Sequence, residues 1–165
     1  MFEMRGGEQV MAVDPAAMAP DGHVVFIGRI ASPWKSRETC PKNMRAAREA
    51  GRGAAALVEA PYRAGLAGLE AAQHVVLLTW LHHAPRNLIV QKPRHAPEAK
   101  GVFALRSPAR PNPIGLHVVR LLSLDLAAGR LELEAIDVLD GTPLIDIKPY
   151  YASADAPAEP EQTQA

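Results

Sequence analysis

The sequence predicts a mainly β protein, an antiparallel barrel or sandwich with one or two short helices. About seven short runs of apolar and β-branched residues are separated by turns containing Gly or Pro, which is typical of antiparallel sheets. The sequence shows no alternation of strands with long helices, no internal repeat and no glycine-rich phosphate loop. Its 165 residues, 48% of them hydrophobic and 22% charged, suffice for one globular domain with a substantial core.

Composition divides the chain into three parts. Residues 1–22 mix Met, Ala, Pro and Gly without periodicity, so we expect a flexible N-terminal extension. Residues 23–151 hold the periodic runs and form the predicted barrel domain, and residues 152–165 form an acidic tail that we expect to be disordered. Because no run approaches the roughly 18 apolar residues of a membrane span and the N-terminus has no signal pattern, we expect no membrane association and a cytoplasmic location.

The first third of the barrel domain predicts two strands and a helix. Residues 24–30 are rich in β-branched side chains and stop at Ser-Pro, which predicts a strand. Residues 43–50 are good helix formers behind a possible Asn43 cap, and Gly51 is a stop signal. Residues 55–60 predict a second short strand that ends at a proline.

The rest of the domain predicts further strands. Residues 62–73 predict one or two helical turns. Residues 75–82 predict the strongest strand, and its near-continuous apolar character suggests burial on both faces. His82 and His83, at the end of this strand, would point to opposite faces if the strand continued. Four more strands are predicted, the last two as a hairpin, over residues 87–91, 101–106, 117–126 and 130–136.

The stretch 101–116 ends in a stiff loop. Its segment Arg-Ser-Pro-Ala-Arg-Pro-Asn-Pro contains three prolines, each of which fixes its own φ and pushes the preceding residue into an extended conformation. Arg106 and Arg110 therefore lie on a stiff backbone, and their guanidinium groups suit a carboxylate or a phosphate. Arg106, at the end of a predicted strand, should be the better preorganised of the two. The alternative is a Pro-rich surface turn with solvated arginines.

A second unusual stretch covers residues 137–150. It places Asp-Gly and Thr-Pro turn signals between two β-rich runs, with three aspartates and a lysine along them. Together with residues 101–116 it resembles the TsaA-like (TrmO) family. Members of that family use S-adenosylmethionine (SAM) to methylate N6-threonylcarbamoyladenosine in the anticodon loop of tRNA. Weaker matches elsewhere extend the resemblance over residues 24–151.

The resemblance implies a single-sheet antiparallel β-barrel that binds SAM and pairs into a homodimer. Arg106 would bind the SAM carboxylate, and Gly141 would let the backbone approach the nucleoside. Asp137 or Asp140 would accept from ribose hydroxyls or lie near the sulfonium, and the alternative for each is to stabilise its own turn. The implied cofactor-binding residues are Pro41, Lys42, Asn43, His82, His83, Arg106, Leu116, Asp137, Asp140, Gly141, Thr142 and Pro143.

The chain departs from the family pattern at two places. Pro41-Lys42-Asn43 stands where the family has Pro-Arg-Gln, and His82-His83 stands where it has His-Gln. Lysine keeps the charge of arginine but loses its bidentate fork, so the cofactor pose or the substrate can differ. The chain also ends about where the barrel should end, whereas the better-known members continue into a C-terminal domain that helps to bind tRNA. We therefore expect a short form, in which methyl transfer is better supported than the tRNA substrate.

The acceptor nitrogen must lose its proton during methylation. The candidate proton acceptors are His82, His83, Asp137 and Tyr150, and histidine is favoured because its ordinary pKa is about 6.5. Alignment of donor and acceptor can also supply much of the rate without a dedicated base.

Basic and polar side chains are the candidates for binding substrate. The basic residues between positions 35 and 52 either contact RNA phosphates or form a solvated helix face. Scattered histidines and one cysteine predict no metal site. The alternatives to a tRNA methyltransferase are an enzyme acting on a small molecule or another RNA, and a non-catalytic barrel that binds a nucleotide or RNA. The candidate substrate-binding residues are Arg45, Arg48, Arg110, Asn112 and Lys148.

Overall fold

A closed antiparallel barrel of six strands forms the body of the molecule. The computed structural model describes residues 4–93 and 96–157. The order around the barrel is β2-β3-β8-β7-β4-β9, and a small sheet beside it has the order β1-β5-β6. The strands are β1 (Gln9–Val10), β2 (Gly28–Ala31), β3 (Ala54–Val58), β4 (His74–Trp80), β5 (Leu88–Gln91), β6 (Lys100–Gly101), β7 (Ile114–Asp125), β8 (Arg130–Leu133) and β9 (Pro143–Pro149). The helices are α1 (Met44–Glu49) and α2 (Ala152–Asp155). The predicted fold class, a mainly β single barrel with one or two short helices, is confirmed.

Alternating side chains along each strand fill the barrel. In β4, Val75, Leu77 and Thr79 are buried, whereas the residues between them are half-exposed. The prediction that this strand is buried on both faces is wrong, because an antiparallel barrel encloses only its inner face. The fully buried core residues come from strands and from the segment after β8, and include Ile30, Leu77, Leu131, Leu133, Ile136 and Leu144.

Local signals predicted α1 and β3 well, whereas the strand predicted over residues 24–30 forms only over Gly28–Ala31. The side chain of Asn43 caps α1 by accepting a 2.9 Å hydrogen bond from the amide of Ala46. Gly51, just after the helix, has a φ of 61°. The helical turns predicted over 62–73 are two 3₁₀ segments, Ala60–Leu66 and Leu69–Ala71.

The strand predicted over 101–106 is wrong. Only Lys100–Gly101 pair as β6, and Val102–Ala104 form a 3₁₀ turn. Arg110 stabilises this turn, because its guanidinium donates to the carbonyls of Val102 and Leu105. The loop also ends earlier than expected, because β7 begins at Ile114, opposite Trp80 of β4. The hairpin of β7 and β8 is confirmed, with Asp125 opposite Arg130.

The N-terminal extension makes more contacts than a flexible segment would. Strand β1 pairs with β5, and Glu8 accepts hydrogen bonds from the amides of Arg5 and Lys92 at 2.9 and 3.0 Å. The bond from the Arg5 amide is the main reason why the pKa of Glu8 is lowered. Of the acidic tail, residues 152–155 form the single turn α2 and residues 158–165 lie outside the described part, as do residues 1–3. Over residues 4–93 and 96–157, no helix has the length and apolar character needed to cross a bilayer.

The alternation in β4 and β7 yields a stability prediction. Leu77→Ala removes a fully buried side chain and should lower the free energy of unfolding by about 2–5 kcal/mol. Leu122→Ala, at a position that is 56% exposed, should change it by no more than about 0.5 kcal/mol. Urea denaturation of both variants measures the difference, and equal losses would contradict the assignment of the inner face.

Candidate functional site

One segment, residues 134–142, crosses from β8 to β9 and carries two of the predicted site aspartates. Side chains and backbone of the segment after β2 hold it in place. The Ser32 hydroxyl donates to the carbonyl of Val138 at 2.8 Å, and the indole of Trp34 donates to that of Ile136 at 2.7 Å. The amide of Asp140 in turn donates to the carbonyl of Trp34 at 2.8 Å. The carboxylates in this segment are therefore presented from a fixed backbone.

Asp140 is used largely to stabilise its own turn. Its Oδ1 accepts from the amide of Ser32 at 2.9 Å, and its Oδ2 lies 2.7 Å from Lys35 Nζ. The hydrogen bond from Lys35, followed by that from the Ser32 amide, lowers the pKa of the Asp140 carboxyl. The turn-stabilising alternative therefore describes the contacts that Asp140 makes.

Asp137 belongs to a buried polar chain that reaches into the barrel. Its Oδ1 lies 2.8 Å from His117 Nδ1, and His117 Nε2 lies 2.9 Å from the Thr79 hydroxyl. The side chains of His117 and Asp137 are only 6% and 16% exposed. Gly115 leaves the room for this chain, because a Cβ there would overlap the Thr79 hydroxyl and lie 2.6 Å from His117 Nε2.

Cys40 links this chain to the segment 41–43. Burial raises the pKa of the Cys40 thiol to about 11, and the negative charge of Asp137 adds to the shift. The thiol is therefore protonated at neutral pH. Because Asp137 acts on Cys40, it lies near the start of the segment 41–43. The segments 41–43 and 137–143, both predicted to bind the cofactor, therefore meet here.

Two of the predicted site arginines lie along an unpaired edge of β7. Strand β8 pairs with β7 only from Leu121 onward, so the carbonyls of residues 116, 118 and 120 on that edge are open to other donors. Arg106 donates to the carbonyl of Leu116 at 3.3 Å, and Arg48 donates to that of Val118 at 2.9 Å. Each contact uses one of the five N–H groups of a guanidinium, so both arginines have donors left for a ligand.

Arg110 is held more firmly than Arg106, which reverses the predicted order of preorganisation. Its Nε donates to the carbonyl of Ser107 at 2.8 Å, and its Nη2 bonds two further carbonyls of the same loop. The prediction was wrong because Arg106 follows a 3₁₀ turn and not a strand. Arg110 therefore maintains the loop, and Arg106 is exposed. Asn112 lies in the same loop, with its side-chain oxygen 3.4 Å from Arg86 Nη2.

His82 and His83 lie in a turn and not on opposite faces of a strand. Strand β4 ends at Trp80, and the two imidazole centroids are 3.8 Å apart. Both side chains are exposed at the same end of the barrel as Thr79. Burial lowers the pKa of His82, and the charge of His83 lowers it further. His82 is therefore neutral at pH 7 and can accept a proton.

Two of the predicted residues, Lys148 and Tyr150, lie toward the far end of β4. The start of β9 lies beside Thr79, whereas its last residue lies opposite Val75 at the other end of β4. Tyr150 follows that far end, where it packs edge-on against His74. Lys148 is paired with Asp146 at 2.8 Å. Since β9 is extended, Tyr150 is about 20 Å along the strand from Pro143, so it is a poor candidate for the proton acceptor. Arg45, on α1, is paired with Glu49 at 2.9 Å.

His117, Thr79 and Gly115 were not singled out as site residues from the sequence. Thr79 and Gly115 are opposite each other in the register of β4 and β7, and His117 is the next inward residue of β7. A signal was present, since polar residues recur at inward positions of otherwise apolar strands. Recognising it required the register, which the sequence does not give.

Comparisons with known proteins agree with this architecture. Residues 29–156 match the family described as tRNA-methyltransferase O N-terminal domain. A protein of Rhizobium radiobacter named "Probable S-adenosyl-L-methionine-binding protein VirR" is 38% identical over 129 residues, which are 78% of this chain and 71% of that protein. The mouse (Mus musculus) protein named tRNA (adenine(37)-N6)-methyltransferase is 43% identical over 95 residues, which are 56% of this chain and 22% of that protein.

A solved structure supports the same relationship. The crystal structure of TrmO from Pseudomonas aeruginosa superposes with a TM-score of 0.67 at 35% identity, covering 88% of this chain and 63% of that one. The chain therefore spans less than two thirds of the solved protein. The family match covers most of the sequence, and the barrel and both signature stretches lie within it. The chain belongs to the tRNA-methyltransferase O N-terminal domain family, which confirms the resemblance of its sequence to TsaA-like proteins.

Proposed function

We propose that this protein binds SAM and transfers its methyl group to tRNA, at N6 of the threonylcarbamoyl-modified adenosine 37. The observation that carries the proposal is the family match over residues 29–156 in a chain whose signature stretches meet at one end of the barrel. The names of the R. radiobacter and mouse relatives support the methyl donor and the acceptor respectively.

The residues at this end fit the chemical groups of SAM. Gly141 is exposed with a φ of 76°, and a Cβ added there would meet no atom within 4 Å, so a ligand can reach its backbone from solvent. Arg106 contacts the carbonyl of residue 116, while Asp137 contacts the ring of residue 117. A positive side chain, Arg106, and a negative one, Asp137, thus contact neighbouring residues of β7. SAM carries a carboxylate and a sulfonium, so it needs one group of each charge.

SAM, when bound, supplies a methyl group activated by its sulfonium sulfur. The protein's own residues orient the ligand and manage the proton of the acceptor nitrogen. Of the four candidate proton acceptors, His82 is exposed and neutral at pH 7. Asp137 is already hydrogen-bonded to His117, and Tyr150 lies at the far end of β9. We therefore assign the proton-accepting role, if a dedicated base acts, to the pair His82 and His83.

The basic side chains of α1 and of the loop before it are the candidates for contact with RNA. The basic side chains there are largely exposed, but Lys35, Arg45 and Arg48 are paired with Asp140, Glu49 and Glu134. This pairing reduces the net positive charge of the surface, so the tRNA assignment rests mainly on the family and on the mouse relative. A tRNA substrate would place the protein in the cytoplasm.

A methylation assay tests the function. The full-length chain, SAM and tRNA carrying N6-threonylcarbamoyladenosine should yield a nucleoside heavier by one methyl group, detected by mass analysis of digested tRNA. tRNA without the threonylcarbamoyl group serves as the control and should remain unmodified. Saturable SAM binding without methyl transfer would support the alternative of a binding protein, which is all that the name of the R. radiobacter relative states.

Arg106 and Arg110 should behave differently when replaced. Arg106→Ala should weaken SAM binding by about 1.5–3 kcal/mol, because it removes a charge-assisted hydrogen bond to the carboxylate. Its thermal stability should stay near that of wild type, since Arg106 makes one long contact to the protein. Arg110→Ala should mainly lower the melting temperature, because three loop carbonyls lose their donor. Calorimetric titration with SAM and thermal unfolding separate the two effects. Wild-type affinity in Arg106→Ala would rule out its assigned role.

We also propose that the protein forms a homodimer through the outer face of β4 and β7. The outward residues of these strands form the facing pairs Val76 with Val118, Leu78 with Leu116, and Trp80 with Ile114. Ile114 and Leu116 are 44% and 49% exposed. An exposed apolar stripe across two strands is typical of an interface, and a second copy would bury it in a symmetric arrangement.

Two exposed positions of the same strand test this interface. Ile114→Glu introduces a charge into the stripe and should convert a dimer to a monomer. Leu122→Glu, at a position outside the part of β7 that pairs with β4, should leave the dimer intact. Size-exclusion chromatography with light scattering gives the molar mass. A wild-type protein that is monomeric at micromolar concentration, or a dimer unaffected by Ile114→Glu, would overturn the proposal.

A further inference from the structure

The chain Thr79–His117–Asp137 differs from the other polar contacts of the barrel because it is buried and connected. Thr79 is fully buried and His117 is 5% exposed, yet both ring nitrogens of His117 have a partner. Burying polar groups costs free energy unless their hydrogen bonds are satisfied, and here each member of the chain satisfies the next. The chain ends at the Asp137 carboxylate, which is its most exposed member.

Asp137 differs from the neighbouring aspartates in what balances its charge. Asp140 is paired with Lys35 at 2.7 Å, and Asp146 with Lys148 at 2.8 Å. Within the described ranges 4–93 and 96–157, the ion pairs of Asp137 include no lysine or arginine, and its contact to His117 uses Oδ1. Its Oδ2 can therefore accept an interaction from a ligand.

The Asp137 carboxylate can only accept a hydrogen bond, so Nδ1 of His117 carries the proton between them. A ring with its proton on Nδ1 donates to the Asp137 carboxylate and accepts the Thr79 hydroxyl proton at Nε2. Through the Nδ1 contact the ring fixes the direction of the carboxylate. The Asp137 carboxylate fixes the tautomer, and the Thr79 hydroxyl, which can donate or accept, holds the ring at Nε2.

The negative charge so held lies among the residues that fit the cofactor. Asp137 is three residues before Asp140 and Gly141, and its charge acts on Cys40, which directly precedes Pro41. Arg106 donates to the carbonyl of Leu116, the residue before His117 in β7. A cationic group bound between these elements would face Asp137.

We propose that His117 is a positioning residue, which with Thr79 orients the Asp137 carboxylate toward the sulfonium of bound SAM. This inference rests on the proposed function, since it requires that the protein binds SAM. The demethylated product, S-adenosylhomocysteine, carries a neutral thioether in place of the sulfonium. The Asp137 charge therefore attracts the substrate form and not the product form, which favours release of the product after transfer.

The test compares the two ligands in the full-length protein. Calorimetry gives the dissociation constants of SAM and S-adenosylhomocysteine, and their ratio measures the preference for the sulfonium. Asp137→Asn keeps the size and a hydrogen-bonding oxygen but removes the charge, and it should reduce the preference by about tenfold. His117→Gln places its amide near the position of Nε2, so it keeps the Thr79 contact, loses the donor to Asp137 and should reduce the preference by about threefold.

His117→Asn is the matched control, because its amide nitrogen lies near the position of Nδ1 and can still donate to Asp137. It should keep most of the preference for SAM.

A purely structural role of these residues would weaken the binding of both ligands equally. Unchanged ratios of the two dissociation constants in Asp137→Asn and His117→Gln would therefore overturn the inference. If His117→Gln does not fold, Thr79→Val replaces it, because valine has the shape of threonine without the hydroxyl. Thr79→Val should reduce the preference for SAM by less than about threefold. An unchanged ratio in both Thr79→Val and Asp137→Asn would also overturn the inference. A wild-type protein that binds neither ligand instead overturns the proposed function.

Discussion

The carbonyls along the unpaired edge of β7 accept hydrogen bonds from three other parts of the chain, and these contacts hold those parts against the barrel. Strand β7 has 12 residues, but β8 pairs only with its second half. The carbonyls along the unpaired first part of this edge accept hydrogen bonds from groups outside β8 instead. Arg106, Arg48 and the amide of Glu134 fill the three positions. As a result Arg106 lies along this edge near the Thr79 end of β4, whereas Arg48 and Glu134 lie toward its His74 end.

Electrostatics then distinguishes groups that the sequence presents as equivalent. Asp137 and Asp140 both belong to the same signature stretch. The two oxygens of Asp140, however, are already bonded to Lys35 and to the Ser32 amide. Asp137 is held by His117, and its side chain is 16% exposed against 38% for Asp140, so water screens its charge less. Arg106 and Arg110 differ in the same way, because Arg110 donates to its own loop. Of each matched pair, one member maintains the loop and the other is available to a ligand.

The interior of the barrel is adapted to this site as well as to stability. Gly115 lacks the side chain that would displace His117 from Thr79, and Thr79 itself lies beside Leu144 in β9. The polar chain is thereby enclosed between three neighbouring strands. Packing of this density means that small substitutions at residue 115 would move the ring and hence the carboxylate at its end.

The sequence by itself determined the fold class, the capped helix α1, the β7–β8 hairpin and the two stretches that carry the family resemblance. These features depend on local signals, namely alternation, capping residues and turn residues, which act over a few positions. Only the tertiary structure decided that residues 102–104 form a 3₁₀ turn, that the His82 and His83 rings lie close together in a turn, and that Tyr150 lies at the far end of β9 from Thr79. It also brought Thr79, His117 and Asp137 together. The physical reason is that strand register and barrel closure arise from contacts between distant residues, so no single segment encodes which side chains will meet.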